Sequence, residues 1–204
     1  MSSEDDVKYI KERYRDYYKI YGDNVRSLGW KDDESQVLRF RVLSEIANLS
    51  GRSVLDIGCG FGDFYGYLKE SLSDFDYRGI DFSEDFINTA KKKYPSSEFM
   101  VGDFMDAEFL GEYDYVIASG LFNTKITDNL NFVQGCIEKM YRVCKCGVAI
   151  NMLTDKVDYM KEDLCYYNPG SMLNRCLGVS RQVVLRHDYP LYEFSVYIYK
   201  RVIK

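Results

Sequence analysis

Apolar residues along this chain change their period partway. Over the first 50 residues they recur at helical spacing. Val7, Ile10, Tyr14, Tyr17, Tyr18 and Tyr21 share one face, and Leu38, Val42, Ile46 and Leu49 form a second stripe. Gly22-Asp23-Asn24 separates the two, and Gly51 closes the region. Beyond it, short apolar runs alternate with helical stripes. Runs at 53–57, 77–80, 99–101, 113–118 and 148–153 read as buried strands. Between them, Phe64, Leu68 and Leu72 form one helical stripe, and Leu130, Val133, Ile137, Met140, Tyr141 and Cys144 form a strongly periodic one. Ser83 is placed to cap the helix that begins with Glu84 and Asp85. Asn168-Pro169 opens a short helix that Gly178 is placed to end.

The last 25 residues break the alternation. Strands at 182–186 and 192–199 are joined by a turn too short for a parallel crossover, so they pair antiparallel. The pattern predicts an α/β fold: a doubly wound, mostly parallel seven-stranded sheet with one antiparallel strand near the C-terminus and helices on both faces. The 204 residues read as a single domain, with a helical N-terminal lid (1–50) on a Rossmann-like core (51–204).

Composition narrows the function classes. A net charge of -5 with no long basic run makes a nucleic-acid partner an unfavoured reading. Lys91-Lys92-Lys93 and Lys200-Arg201 read as helix-end and chain-end charges. No apolar stretch reaches the roughly 20 residues that span a bilayer, and the acidic start is unlike a signal peptide. The six cysteines form no Cys-x-x-Cys pair and there is one histidine, so no zinc site is expected. Reduced thiols in a cytoplasmic protein are the expectation. The 19 tyrosines are read mostly as packing. Oligomeric state leaves no signal.

Chemistry concentrates at strand ends. The first strand ends at Asp56, followed by Gly58-Cys59-Gly60-Phe61-Gly62. A nicotinamide fingerprint reads Gly-x-Gly-x-x-Gly and serves a pyrophosphate. Here the third glycine comes one residue early and an acid precedes the loop. The second strand ends at Asp81-Phe82, where a carboxylate can accept from ribose hydroxyls. The third is followed by Gly102-Asp103-Phe104, and the fourth by Ser119-Gly120-Leu121-Phe122-Asn123.

These four motifs, in order and with the terminal hairpin, resemble those of class I S-adenosylmethionine (SAM) methyltransferases over about residues 52–204. The resemblance implies SAM as cofactor and S-adenosylhomocysteine (SAH) as product. It implies cofactor contacts from Asp56, Gly58, Cys59, Gly60, Asp81, Phe82, Asp103, Phe104 and Ser119. Asp56 and the glycine loop would serve the methionyl ammonium, Asp81 the ribose, and Asp103 with Phe104 the adenine. Tyr21-Gly22-Asp23, Gly29-Trp30, Ser35-Gln36-x-Leu38-Arg39-Phe40 and the tail 186–194 resemble a set of bacterial methyltransferases without assigned substrate. The fourth motif is not the Asp/Asn-Pro-Pro-Tyr/Phe of nucleobase and protein-glutamine methyltransferases. No metal set is expected.

Chain direction gives an expectation for the acceptor. A strand at 182–186 parallel to the first five would bring the following turn to the ligand side of the sheet. His187, oriented by Asp188 or by a tyrosine, is then a candidate general base. Tyr21, Trp30, Asn123, Tyr166 and Tyr189 are candidates for the pocket wall, with Tyr167 beside them. The expected activity is methyl transfer to a small-molecule oxygen or nitrogen by in-line displacement. The alternatives are an RNA or protein methyltransferase, a non-catalytic SAM-binding scaffold subunit, and a nicotinamide oxidoreductase.

Overall fold

The computed structural model describes residues 4–106 and 112–200, so the first three residues and Arg201 lie outside it. Helix α1 (Glu4–Tyr21) opens with Glu4, Asp5 and Asp6, which suit its positive end. A single 3-10 turn, Val25–Leu28, follows. The Asn24 side chain accepts from Arg26 N, and Gly29 closes the turn at φ 80°. Helix α2 (Asp33–Ser44) is capped by the Asp32 side chain, which accepts from Ser35 N at 2.9 Å. The second sequence stripe outruns this helix. Ile46 and Leu49 are buried from the turn beyond it, where the Asn48 side chain accepts from Ser50 N and competes with helical bonding.

Strands β1 (Ser53–Ile57), β2 (Asp76–Asp81), β3 (Glu98–Val101), β4 (Tyr113–Ala118) and β5 (Cys144–Leu153) are parallel. Between them lie helices α3 (Asp63–Ser71), α4 (Glu84–Lys93) and α5 (Asn129–Val143). Helix α6 (Pro169–Val179) and the hairpin β6 (Val183–Arg186) and β7 (Glu193–Tyr199) complete the chain. The sheet order is β3-β2-β1-β4-β5-β7-β6. β7 runs antiparallel to both neighbours, so β6 is parallel to the first five, as the hairpin predicts. The order reverses between β1 and β4, which leaves a crevice at their carboxyl ends.

Strand alternation builds a core on each side of the sheet. Leu55, Ile57, Val116, Ala118, Val148, Ile150, Phe194 and Val196 face the α5 and α6 side. Val54, Tyr115, Ile117, Ala149 and Tyr197 face the side covered by α2, α3 and α4. Ser83 caps α4 as expected, accepting from Phe86 N. Gly178 does not end α6: the helix continues to Val179 and closes where Ser180 N donates to Cys176 O. Open space surrounds Gly178, and its φ is not positive, so it behaves as an ordinary helical residue.

Candidate active site

A cavity lies at the carboxyl ends of β1 to β4. Asp56, Gly58 and Gly60 line it from the β1 loop, Asp81 and Phe82 from β2, Asp103 and Phe104 from β3, and Ser119, Gly120 and Leu121 from β4. Val7, Ile10, Lys11 and Tyr14 of α1 close over it, joined by Leu28, Trp30 and Gln36. A wider depression adjoins it between α2 and α3, sharing Gln36, Phe40 and Asp63. There Lys93 Nζ contacts Asp63 at 2.7 Å and Asp23 at 3.3 Å.

The glycine loop is tied to the next strand. Gly60 N donates to Asp81 Oδ2 at 3.0 Å, and Ser83 N donates to Asp81 Oδ1 at 2.8 Å. Gly60 sits at φ 55°, and a Cβ there would come 2.8 Å from Leu28 Cδ2. Glycine therefore serves two needs at this position: a left-handed backbone and a close approach. Asp56 accepts from Tyr77 Oη at 2.5 Å. Burial pushes the Asp56 carboxyl up to about 7. The Tyr77 bond opposes this rise, and the Asp81 and Asp63 charges add to it. Burial raises Asp81 to about 6 against its two backbone hydrogen bonds. Asp103 Oδ1 accepts from Met105 N at 2.8 Å, which holds the Gly102-Asp103-Phe104 turn.

A family model described as a methyltransferase domain matches residues 54–147. A Mycobacterium tuberculosis (strain ATCC 25618 / H37Rv) protein named as a methyltransferase is 30% identical over 158 residues, covering 72% of this chain and 93% of the relative. The chain is a class I SAM-dependent methyltransferase. A demethylmenaquinone methyltransferase of Staphylococcus aureus (strain MRSA252) is 34% identical over 121 residues, 56% of this chain but only 48% of that one. In fold, the methyltransferase is similar to the magnesium protoporphyrin IX methyltransferase of Synechocystis PCC 6803, solved with bound SAM. The TM-score is 0.70 at 16% identity, covering 98% and 100% of the two chains.

The residues of the cavity fit SAM chemically. Asp56, Asp63 and Asp81 all line it, and this negative field suits an ammonium and a sulfonium and would repel a pyrophosphate. Among the described residues Ser119 Oγ is buried with no hydrogen-bond partner, so a polar ligand group has something to meet there. The loop at Gly60 leaves backbone bare where a side chain would stand.

The nine cofactor residues named from the sequence all line the cavity. The acceptor residues mostly do not. Trp30 is in the wall. Tyr21 is exposed at the end of α1. Asn123 is buried structurally, its Oδ1 accepting from Leu153 N. Tyr166 Oη accepts from Lys161 N, and Tyr167 Oη donates to Phe122 O. Tyr189 is buried against Ser195, their hydroxyls 2.9 Å apart. His187 and Asp188 are corrected as well: neither lines the cavity. Asp188 Oδ1 accepts from Arg186 Nε at 2.7 Å, not from His187, whose ring packs edge-on to Phe194. Chain direction does bring their turn to the ligand end of the sheet. Lateral order removes it, because three strand spacings, about 14 Å, separate β6 from β4. The sequence placed α1 within the expected lid, 1–50, but marked as pocket wall none of the residues by which it lines the cavity, Val7, Ile10, Lys11 and Tyr14. The apolar stripe of α1 was legible, but a stripe looks the same whether it covers a core or a cavity.

Proposed function

We propose that this methyltransferase acts on a small-molecule acceptor, at oxygen or nitrogen, by in-line displacement. The observation that carries this reading is the roof: α1 encloses the cavity on the side away from the sheet. A roofed pocket suits a small acceptor. The names of the Staphylococcus relative and the Synechocystis fold neighbour, which give small-molecule substrates, support the small-molecule part of this reading.

When bound, SAM supplies a methyl already activated by its sulfonium, so the chain's own work is alignment and exclusion of water. Asp81 would accept from the ribose hydroxyls while keeping its bonds to Gly60 N and Ser83 N. Asp103 and Phe104 would hold the adenine, and Asp56 with Gly58, Cys59 and Gly60 the methionyl end. Phe82 would flank the nucleoside, and Ser119 would meet a polar group beside the methyl. Tyr14 of α1, with Thr124 beside its hydroxyl, places a protic pair in the cavity wall. We read residues 1–50 as a lid on the core 51–204, the whole forming one domain. Six free cysteines suit a reducing, cytoplasmic setting. Among the described residues no helix is long and apolar enough to cross a membrane.

The test has two parts. Calorimetry should give SAH binding and no NAD binding. A methyl-release screen of phenols, hydroxy acids and amines, run beside tRNA and a histone, should give turnover with small molecules. Turnover confined to tRNA or histone would overturn the small-molecule reading.

A further inference from the structure

Three of the four amino-terminal and tail motifs left over from cofactor binding meet at one point. Trp30, Arg39 and Glu193 come from separate stretches of sequence. Arg39 Nε lies 2.7 Å from Glu193 Oε1, with side-chain exposures of 10% and 0%. Apart from this contact, Arg39 Nε and Nη1 and both Glu193 oxygens have no hydrogen-bond partner among the described residues. The Arg39 guanidinium carbon stands 4.2 Å from the Trp30 ring centroid. The Trp30 ring also packs on Gly120, where any Cβ would collide with it. Gly120 N in turn donates to Asn151 Oδ1 at 2.6 Å. Trp30 is therefore held between Gly120 and a cation, and both Trp30 and Gly120 line the cavity.

A buried ion pair is weak as a source of stability, because stripping water from two charges offsets much of their attraction. Geometry explains it better here. Glu193 opens β7 opposite Leu153, on a strand that cannot shift without breaking its pairing with β5. It fixes Arg39, which must stay charged, and Arg39 presents a flat cation to the indole. We infer that Arg39 and Glu193 are positioning residues, whose buried ion pair holds Trp30 against Gly120 as a fixed wall of the reaction cavity beside Ser119. The inference rests on the methyl-transfer reading of that cavity. Neither Arg39 nor Glu193 lines the cavity, so both act through Trp30.

Trp30 is the only tryptophan in the chain, so its emission reports this contact alone. The experiment is acrylamide quenching of Trp30 in the full chain, wild type against Glu193→Gln and the double variant Arg39→Met/Glu193→Leu. Loss of the cation contact should raise the quenching constant about threefold in both. The calorimetric affinity for SAH should stay within about twofold, since binding energy follows the groups in contact. Glu193→Gln leaves Arg39 buried and unpaired and could cost folding. The double variant replaces the pair with apolar side chains, which buried pairs tolerate, and it decides the matter if the single variant is unfolded. Unchanged quenching in the folded double variant overturns the inference. Wild-type protein that fails to bind SAH overturns the functional reading instead, and leaves the quenching result standing.

Discussion

Asp81 carries two duties at the residue scale. It ties the glycine loop to the start of α4 through Gly60 N and Ser83 N, and its remaining lone pairs face the cavity it lines. Removing it loses both the loop anchor and two hydrogen bonds to a charged acceptor. Asp81→Ala should therefore weaken SAH binding by at least about tenfold, and calorimetry showing no loss would remove the ribose assignment. Gly120 is constrained twice, by φ 70° and by the Trp30 ring lying on it. Gly120→Ala should displace that ring, measured as a shift in Trp30 emission. Asp56 and Asp81 are both raised by burial, to about 7 and about 6. A carboxyl raised in the fold favours the folded state fully below its ordinary value near 4 and loses that contribution as pH rises through the folded value. Ligand-free stability should fall between about pH 4 and pH 7. SAH brings an ammonium to those charges, so its thermal stabilisation should grow over the upper part of the window. Thermal unfolding from pH 5 to pH 8, with and without SAH, checks both signs. A ligand shift that does not change with pH would separate these carboxylates from the ammonium.

At the scale of elements, α1 decides whether the cavity is open. Among the described residues its polar ties to the core include Arg13 with Asp163 at 2.7 Å, the hydroxyls of Tyr18 and Thr89 at 3.0 Å, Tyr14 with Thr124, and Thr127, whose N and Oγ1 both donate to Asp6. Such ties at a partly wet boundary contribute little each. Apolar contact adds Tyr14 packed near Phe82 and Phe86. A helix held this way undocks at a fraction of the global unfolding free energy. Saturating SAH should slow hydrogen exchange across α1 while leaving β7, paired along its whole length with β5 and from Ser195 to Ile198 with β6, unchanged. Equal exchange of α1 with and without ligand would mean that the helix is not a lid. The existence of α1 was legible from the spacing of Val7, Ile10 and Tyr14. A lid role was expected for it; which of its residues would line the cavity was not legible, because helical periodicity fixes which face is apolar and says nothing of what that face covers.

Over the whole molecule, lateral strand order governs which turns reach the cavity. The parallel direction of β6 follows from the hairpin alone, and it was correctly expected. Its place at the outer edge, beyond β7, follows from β7 inserting between β5 and β6. That one fact moves His187 away from the reaction centre. His187→Ala should leave SAH affinity within about twofold of wild type, since the residue touches none of the cavity. A loss of tenfold or more would restore it as a site residue.

The sequence by itself determined where the residues expected to hold the cofactor of this methyltransferase lie. Asp56, Asp81, Asp103 and the glycine loop sit at strand ends, and in a doubly wound sheet every parallel strand end points to the same side. Local chemistry and chain direction were enough for those positions. The acceptor half depends on which distant segments pack together. Trp30, Arg39 and Glu193 were visible as motifs, yet only the fold stacks them over Gly120, because contact between separate segments is set by tertiary packing and leaves no period in a single sequence.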